Sequence, residues 1–300
     1  MGADTPLAAE AARDARRRIS LHGVHFPLPQ ATRVLTVANQ KGGVGKTTSA
    51  VNLAAALVRG GATVLVIDSD PQGNASTALG IDRHTGTGSI YEVLLGELAM
   101  KEAVQRCPAI DGLWCLPATI DLSGAEIELV SVDRREWRLA LALKNLKTDW
   151  IAAGHRRFDY VIIDCPPSLG LLTINTLVAA TEVLIPIQCE YYALEGLSQL
   201  LGNIELIRQR LNGDLRVSAI LMTMFDGRTN LAGDVVEEVR SHFPGLVLKT
   251  AIPRSVRVAE APGYGETVVT YDPNSSGALA YLEAAQELAA RAAGPEQEMP

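Results

Sequence analysis

Residues 42–48 combine glycines, a lysine and threonines at a spacing that suits the binding of a polyphosphate. The surrounding stretch 34–48 predicts a buried strand, a glycine-rich turn and the first turn of a helix. Glycines let backbone N–H groups approach an anion closely, and a helix N-terminus adds a partial positive charge. In that arrangement Lys46 reaches the β- and γ-phosphates of a nucleotide, and the hydroxyl of Thr47 binds Mg²⁺. A turn that merely requires glycine is the alternative, which Gly-Lys-Thr-Thr at the helix start disfavours.

Carboxylates follow two further apolar strands. Asp68 and Asp70 come at the end of the strand predicted over 63–68, and Asp164 ends the strand predicted over 160–164. Ligands of open α/β sheets bind at the carboxyl ends of strands, which favours a chemical role for these side chains over capping of the next turn. An apolar strand that ends in aspartate is the Walker B arrangement, so we expect Asp164 to bind Mg²⁺ directly or through water.

Strand-like and helix-like segments alternate along most of the chain. The predicted strands are apolar throughout, which indicates burial on both faces, as in a parallel sheet. They cover 34–38, 63–68, 160–164, 183–187 and 217–223. We therefore predict an α/β fold, doubly wound, with a mostly parallel sheet and helices on both faces. The predicted organisation is a flexible N-terminal tail over 1–32, one domain over 33–292 and a C-terminal tail over 293–300.

The composition limits the class of protein. Of the 300 residues, 47% are hydrophobic and 20% charged, which suffices for a sizeable core. The four cysteines form no C-x-x-C pair, which disfavours a zinc or dithiol redox site and indicates a reducing compartment.

Because we find no secretory signal and no apolar run of about 18 residues, we predict a cytoplasmic protein that does not bind membrane. The net charge of −7 disfavours a general affinity for nucleic acid, although a local basic surface is compatible with it.

The phosphate loop departs from the common pattern G-x-x-x-x-G-K-[ST], because Gln40 replaces its first glycine and Lys41 follows. The stretch Lys41-Gly-Gly-Val-Gly-Lys-Thr47 resembles the deviant Walker A motif of the ParA/MinD superfamily of ATPases. The resemblance implies ATP and Mg²⁺ as cofactors, and a Lys41 that reaches across an ATP-bound dimer. It also implies that Asp70, in D-x-D-P-Q-G-N, positions the attacking water and couples to the metal. The residues expected to bind nucleotide are Lys41, Gly42, Gly43, Val44, Gly45, Lys46, Thr47, Thr48 and, in an adenine-side loop, Pro253.

Three further stretches are similar to those of chromosomal ParA/Soj proteins: 190–196, 228–230 and 252–262. The resemblance implies a slow ATP hydrolase that forms an ATP-dependent homodimer, binds double-stranded DNA non-specifically and segregates a chromosome or plasmid with a ParB-type partner. Such a protein is nucleoid-associated when ATP is bound. The resemblance also implies phosphate contacts by Arg228 and Arg257, for which surface ion pairs are the alternative.

A MinD-like positioning ATPase on a membrane is the main alternative function. Such proteins end in a basic amphipathic helix, whereas the helix predicted over 275–292 has Arg291 as its single base and an apolar side suited to the core. The cysteines do not match an iron-protein reductase, and residues 1–32 leave no room for a helix-turn-helix domain. The Arg16-Arg-Arg18 cluster is a candidate contact for DNA or a polar scaffold, with a solvated tail as the alternative.

Overall fold

The computed structural model describes residues 6–84, 86–190 and 193–291. Seven strands form one sheet, and they are β1 (Arg33–Val37), β2 (Val64–Asp68), β3 (Gln105–Arg106), β4 (Leu113–Leu116), β5 (Tyr160–Asp164), β6 (Glu182–Gln188) and β7 (Arg216–Thr223). The strand order is β3-β4-β2-β5-β1-β6-β7. Every neighbouring pair is parallel except β3 with β4, which is antiparallel.

Helices cover both faces of this sheet. They are α1 (Pro6–Leu21), α2 (Lys46–Arg59), α3 (Asn74–Ala78), α4 (Ile90–Leu95), α5 (Met100–Ala103), α6 (Leu122–Glu128), α7 (Arg138–Ala152), α8 (Leu171–Ala179), α9 (Ala193–Arg210), α10 (Asn230–His242), α11 (Val256–Glu260), α12 (Val268–Tyr271) and α13 (Ser276–Arg291). One apolar layer contains residues of α4 to α10, and the other contains residues of α2, α3, α12 and α13. The predicted α/β fold class is therefore confirmed.

The five strands predicted from continuous apolar runs correspond to β1, β2, β5, β6 and β7, and each observed bound agrees with the predicted one to within one residue. Every residue of β2 and of β5 is buried, which explains why these strands lack alternation. Helix α2 ends at Gly60, and Gly61 follows with a φ of 100° that favours glycine. The structure adds the short antiparallel strand β3 and its partner β4, which the sequence pattern did not reveal.

The N-terminal segment contains the helix α1 followed by an extended stretch, and both contact the rest of the protein. Arg17 of α1 pairs with Glu283 of α13 at 2.7 Å. Phe26 is buried, and its N–H donates to the carbonyl oxygen of Gly60 at 2.9 Å. We expected a flexible tail over residues 1–32, whereas these contacts attach the described part of it to α2 and α13. The C-terminal tail predicted over 293–300 lies outside the described residues.

Helix α13 packs in the core, as its apolar side predicted. Its side chains Leu279, Leu282, Ala285 and Leu288 are all buried. Within the described ranges, no helix combines the length and the apolar character that crossing a membrane requires.

Candidate functional site

Three adjacent strands bring the predicted site residues to one edge of the sheet. Strand β5 lies between β1 and β2, with Asp164 opposite both Val37 and Asp68. The loop after β1 is the phosphate loop, and the loop after β2 contains Asp70. The carboxyl ends of parallel strands meet at this edge, so the fold places Lys46, Asp70 and Asp164 around one space.

The phosphate loop has the backbone that its glycines predict. Gly43 and Gly45 adopt φ values of 75° and 87°, a left-handed conformation that favours glycine. Gly45 is the N-cap of α2, and its carbonyl oxygen accepts from the N–H of Ser49 at 2.8 Å. A Cβ added to Gly42 or Gly43 would meet no atom within 4 Å, so the outer side of the loop is open. Backbone N–H groups and a helix N-terminus therefore face a space in which phosphates would fit.

Lys46 lies under this loop with only 7% of its surface exposed. Its Nζ donates to the carbonyl oxygen of Lys41 at 3.1 Å, which folds the loop around the ammonium group. Burial lowers the pKa of Lys46, and the nearby charges of Asp164, Cys165 and Asp70 act in the opposite direction. A bound polyphosphate would add negative charge and favour the protonated ammonium further.

Asp164 is completely buried, and neither of its carboxylate oxygens has a hydrogen-bond partner among the described residues. Burial raises the pKa of Asp164 well above its usual value, and so does the charge of Asp68, whereas the nearby Thr47 hydroxyl, which forms no hydrogen bond with Asp164 in this structure, acts in the opposite direction. A buried carboxylate without a partner is costly unless a cation or an ordered water satisfies it. Asp164 and Thr47 therefore fit Mg²⁺, which prefers oxygen ligands and retains several waters.

The metal would depend on more than protein ligands. In the part of the chain that the structure describes, no three His, Cys, Asp or Glu side chains form a cluster able to hold a metal ion. Phosphate and water oxygens would have to complete an octahedral Mg²⁺ shell, as they do in sites that bind Mg²⁺ with a nucleotide.

The carboxylates of Asp68, which ends β2, and of Asp70, two residues later, differ in their surroundings. Oδ2 of Asp68 accepts from the N–H of Ser76 at 2.8 Å and from its hydroxyl at 2.7 Å, so Asp68 holds the start of α3. Burial raises the pKa of Asp68 to about 6. Asp70 is partly exposed, and its Oδ1 accepts only the N–H of Gln72, at 3.0 Å. Of the two, Asp70 keeps free acceptor capacity at the open side of the site.

The Lys41 side chain contacts the end of β6 rather than the centre of the site. Its ammonium forms an ion pair with the carboxylate of Glu190, at the end of β6. Its N–H donates to Oδ1 of Asn39 at 3.0 Å, and Asn39 Nδ2 donates to the carbonyl oxygen of Pro186 at 2.8 Å. Asn39 therefore fixes the start of the phosphate loop to β6.

Two residues that support the site were missed from the sequence. The Thr223 hydroxyl, at the end of β7, donates to the carbonyl oxygen of Val44 at 2.8 Å and supports the phosphate loop from below. Arg83 donates to the carbonyl oxygens of Gly73 at 2.9 Å and Ala118 at 3.0 Å, which ties the Asp70 loop to the chain after β4. Neither residue belongs to a local motif, because both act through tertiary contacts distant in sequence.

Two loops after β7 pair with each other beside the predicted DNA-contact arginines: Arg228 lies in the turn before α10, and Arg257 lies in α11. The N–H of Phe225 donates to the carbonyl oxygen of Ile252 at 2.9 Å, and that of Arg254 to Phe225 at 3.0 Å. This pairing places Pro253 beside Phe225 at the carboxyl edge, next to β7. A third arginine, Arg254, lies in the same pairing and is exposed, although it was not predicted from the sequence.

Both predicted arginines make ion pairs with neighbours. Arg228 donates from Nε and Nη2 to the Asp226 carboxylate at 2.8 and 2.7 Å, although the Arg228 side chain is 87% exposed. Arg257 lies 3.1 Å from Glu260 and 3.5 Å from Asp272. Exposed pairs of this kind contribute little to stability, so a phosphate can replace the carboxylate partner at low cost.

Comparison with known proteins places the fold and the site in a family. A family model described as an AAA domain matches residues 32–217, a range that begins after α1 and contains the phosphate loop, Asp70 and Asp164. The sporulation initiation inhibitor protein Soj of Bacillus subtilis is 49% identical over 258 residues, which are 86% of this chain and 98% of Soj. The chromosome partitioning protein ParA of Myxococcus xanthus is 51% identical over 259 residues, 86% of this chain and 88% of that protein.

Solved structures agree on the fold. The cobyrinic acid a,c-diamide synthase of Mycobacterium smegmatis, with a bound ATP analogue and magnesium, is 42% identical with a TM-score of 0.71, covering 84% of this chain and 92% of that one. The cell division ATPase MinD of Pyrococcus furiosus is 26% identical with a TM-score of 0.67, covering 85% and 97%. Together with the open phosphate loop and the acidic strand ends, these matches identify a P-loop ATP hydrolase. The chain belongs to the ParA/Soj family of chromosome-partitioning ATPases.

Proposed function

We propose that this protein is a Mg-ATP-dependent, dimerising ATPase that binds DNA non-specifically and segregates a chromosome or plasmid with a ParB-type partner. The observation that carries the nucleotide part is Asp164, whose two buried oxygens, close to Lys46 and Thr47, have no hydrogen-bond partner among the described residues. The protein would be cytoplasmic, and nucleoid-associated while ATP is bound.

The proposed roles follow from the position of each side chain. Mg-ATP, when bound, supplies the phosphoryl group and a cation that offsets its charge. Lys46 donates to the β- and γ-phosphates, while the N–H groups of residues 42–48 surround them. Asp164 and the Thr47 hydroxyl hold the metal. Asp70, which has free acceptor capacity at the open side, orients the attacking water and contributes to the metal site.

Dimerisation would use Lys41. The side chain lies at the exposed rim of the phosphate loop, where it can exchange its contact with Glu190 for the phosphates of a second subunit. This exchange requires only the loss of an exposed ion pair, which is weak in water. A second subunit over the nucleotide would also exclude water from the site, which strengthens its electrostatic interactions.

DNA binding would use the two paired loops after β7. They hold Arg228 and Arg254, Arg257 follows in α11, and a dimer doubles this set. Phosphate contacts by arginines are independent of base sequence, which suits a protein that moves over a whole nucleoid. Because the net charge is −7, weak binding by the monomer and stronger binding by the dimer are expected.

Co-sedimentation with DNA and with liposomes tests this proposal against the MinD-like alternative. The protein is mixed with sheared duplex DNA, or with anionic liposomes, in the presence of ATP, ADP or no nucleotide. We expect retention on DNA with ATP and Mg²⁺ only. Retention on liposomes instead would contradict the proposal and favour a membrane-positioning ATPase.

A further inference from the structure

Helix α1 is attached to the protein by one arginine and presents three others to solvent. Arg17 donates from Nε and Nη2 to the Glu283 carboxylate, both at 2.7 Å, and from Nη1 to Asp14 at 3.0 Å. The exposed arginines are Arg13, Arg16 and Arg18. Arg17 therefore attaches the helix to α13, and Arg13, Arg16 and Arg18 form a basic surface.

The chain that follows α1 fixes the helix at a second point. The ring of Phe26 lies where a Cβ on Gly60 would be, 2.1 Å from its Cδ2, so Gly60 is needed for this contact. Leu21 and Val24 pack against the same apolar layer. Two attachments of different kinds, an ion pair and an apolar contact, hold α1 in a defined orientation on α2 and α13.

The exposed arginines surround the anchor. At about 100° per residue, Arg16 and Arg18 lie about 100° from Arg17 on opposite flanks of α1, and Arg13 lies about 40° from Arg17, toward the flank of Arg16. Among the side chains that the structure describes, no carboxylate pairs with any of these three. Asp14 and Glu283 are engaged by Arg17. The flanks of the exposed side of α1 therefore carry positive charge on an acidic protein.

This basic surface lies on the same side of the sheet as the proposed DNA loops. Helix α13 packs against both α1 and α11, the helix that contains Arg257. Gly277 of α13 faces Val258 of α11, and Glu283 lies six residues further along α13, about 9 Å along its axis. Helix α13 therefore joins α1 to the helix that contains Arg257.

We propose that Arg13, Arg16 and Arg18 of the docked helix α1 bind phosphates of double-stranded DNA next to the DNA loops. The proposal rests on the proposed function, because it assumes that the ATP-bound protein engages DNA. Arginine suits phosphate recognition, and contacts of this kind need no base sequence. A lipid surface fits less well, since a membrane-surface helix buries a broad apolar face, and between residues 12 and 20 of α1 the one large apolar side chain is Ile19.

The first test measures affinity for duplex DNA with ATP and Mg²⁺ at increasing salt. Replacing Arg13, Arg16 and Arg18 by Gln should weaken binding about tenfold and reduce the log–log salt slope by about 0.9 per lost phosphate contact. A control with the same charge change replaces Arg106, Arg208 and Arg210, which lie away from α13, and should bind nearly as the parent does. ATP hydrolysis without DNA should be equal in all three proteins.

The second test separates the position of α1 from its charge. Glu283→Gln keeps every arginine, removes one negative charge and releases the Arg17 anchor. General electrostatics predicts tighter DNA binding for this variant, whereas a docked α1 predicts weaker binding. Tighter or unchanged binding would contradict the docked arrangement.

The outcomes distinguish this inference from the proposed function. If the parent protein binds DNA with ATP and the triple variant binds equally well, the α1 contact is refuted while the proposed function stands. If the variant and the control lose affinity equally, only net charge matters and the α1 contact is again refuted. If the parent protein shows no ATP-dependent binding, both proposals fail. Loss confined to the α1 and Glu283 variants supports the inference.

Discussion

Lys41 and Glu190 form an ion pair within one chain, between the rim of the phosphate loop and the end of β6. The two side chains are about half exposed, at 52% and 44%, so water weakens their attraction. If Lys41 reaches the nucleotide of a second subunit, this pair has to break first. Glu190 then competes with the partner's phosphates for the same ammonium group.

Replacing Glu190 by Gln should therefore ease dimerisation. The ATP concentration that gives half-maximal dimer, measured by light scattering after size exclusion, should fall about two- to fivefold, which corresponds to the loss of one exposed pair.

Lys41→Ala should spare nucleotide binding but weaken dimerisation and hydrolysis. A Lys41→Ala protein that dimerises and hydrolyses ATP normally would refute the role of Lys41 across the dimer.

Lys46→Ala should abolish most ATP binding. The buried ammonium lies under the phosphate loop, and its loss should raise the Kd for ATP by at least about tenfold. Isothermal titration with ATP and Mg²⁺ measures this, with Lys144→Ala, at an exposed position of α7, as the matched control. Equal affinity in both variants would mean that phosphates bind elsewhere.

Asp70→Ala should separate binding from hydrolysis. We expect nearly normal ATP affinity and a kcat reduced about 100-fold or more, because the water loses its orienting acceptor. The variant should then accumulate as the ATP-bound dimer. Asp111→Ala, at a position 91% exposed, is the control. Loss of ATP binding in Asp70→Ala would show instead that this carboxylate mainly supports the loop through its contact with Gln72.

The phosphate loop, β5 and α13 could be predicted from local sequence, because each depends on neighbours in the chain. A glycine-rich turn between a strand and a helix, and an apolar strand that ends in Asp164, have few other interpretations. The support from Thr223 and Arg83 could not be predicted, since each contact joins segments that only the finished fold brings together. The attachment of α1 was missed for the same reason: it depends on Glu283, 266 residues after Arg17.

A buried ion pair at the other end of the sheet predicts how stability depends on pH. Burial alone would raise the pKa of Glu182, but hydrogen bonds from Arg33 and its charge hold the pKa below the usual value. A lowered folded-state pKa stabilises the fold above the unfolded-state value near 4.5, and this contribution is lost as the pH falls through the folded-state pKa. Glu182 is therefore expected to stabilise the protein at neutral pH.

Glu182→Gln leaves Arg33 buried without a charged partner, so it should cost about 3–5 kcal/mol at pH 7. The difference between parent and variant in the free energy of unfolding, from urea titrations, should shrink as the pH falls below 4.5. Glu237→Gln, on the exposed side of α10, should show neither effect. A difference that stays constant down to acid pH would rule out the charge of Glu182 as its cause.

Arg228→Ala combined with Arg257→Ala should remove most DNA retention while ATP-dependent dimerisation and basal hydrolysis persist. Both side chains are exposed and pair with Asp226, Glu260 and Asp272 rather than with the phosphate loop, so their loss should not affect the nucleotide site. Co-sedimentation with DNA at physiological salt, alongside Arg208→Ala with Arg210→Ala, checks this. A double variant that still sediments with DNA would move the DNA surface to Arg254 and α1.

The central claim, that ATP switches this protein onto DNA, is tested most directly by its affinity for one duplex measured with ATP and with ADP over a range of salt concentrations. The account predicts tight binding with ATP and Mg²⁺ only, equal for unrelated duplex sequences, with a log Kd that depends linearly and steeply on log salt. Equal affinity with ATP and with ADP would contradict it.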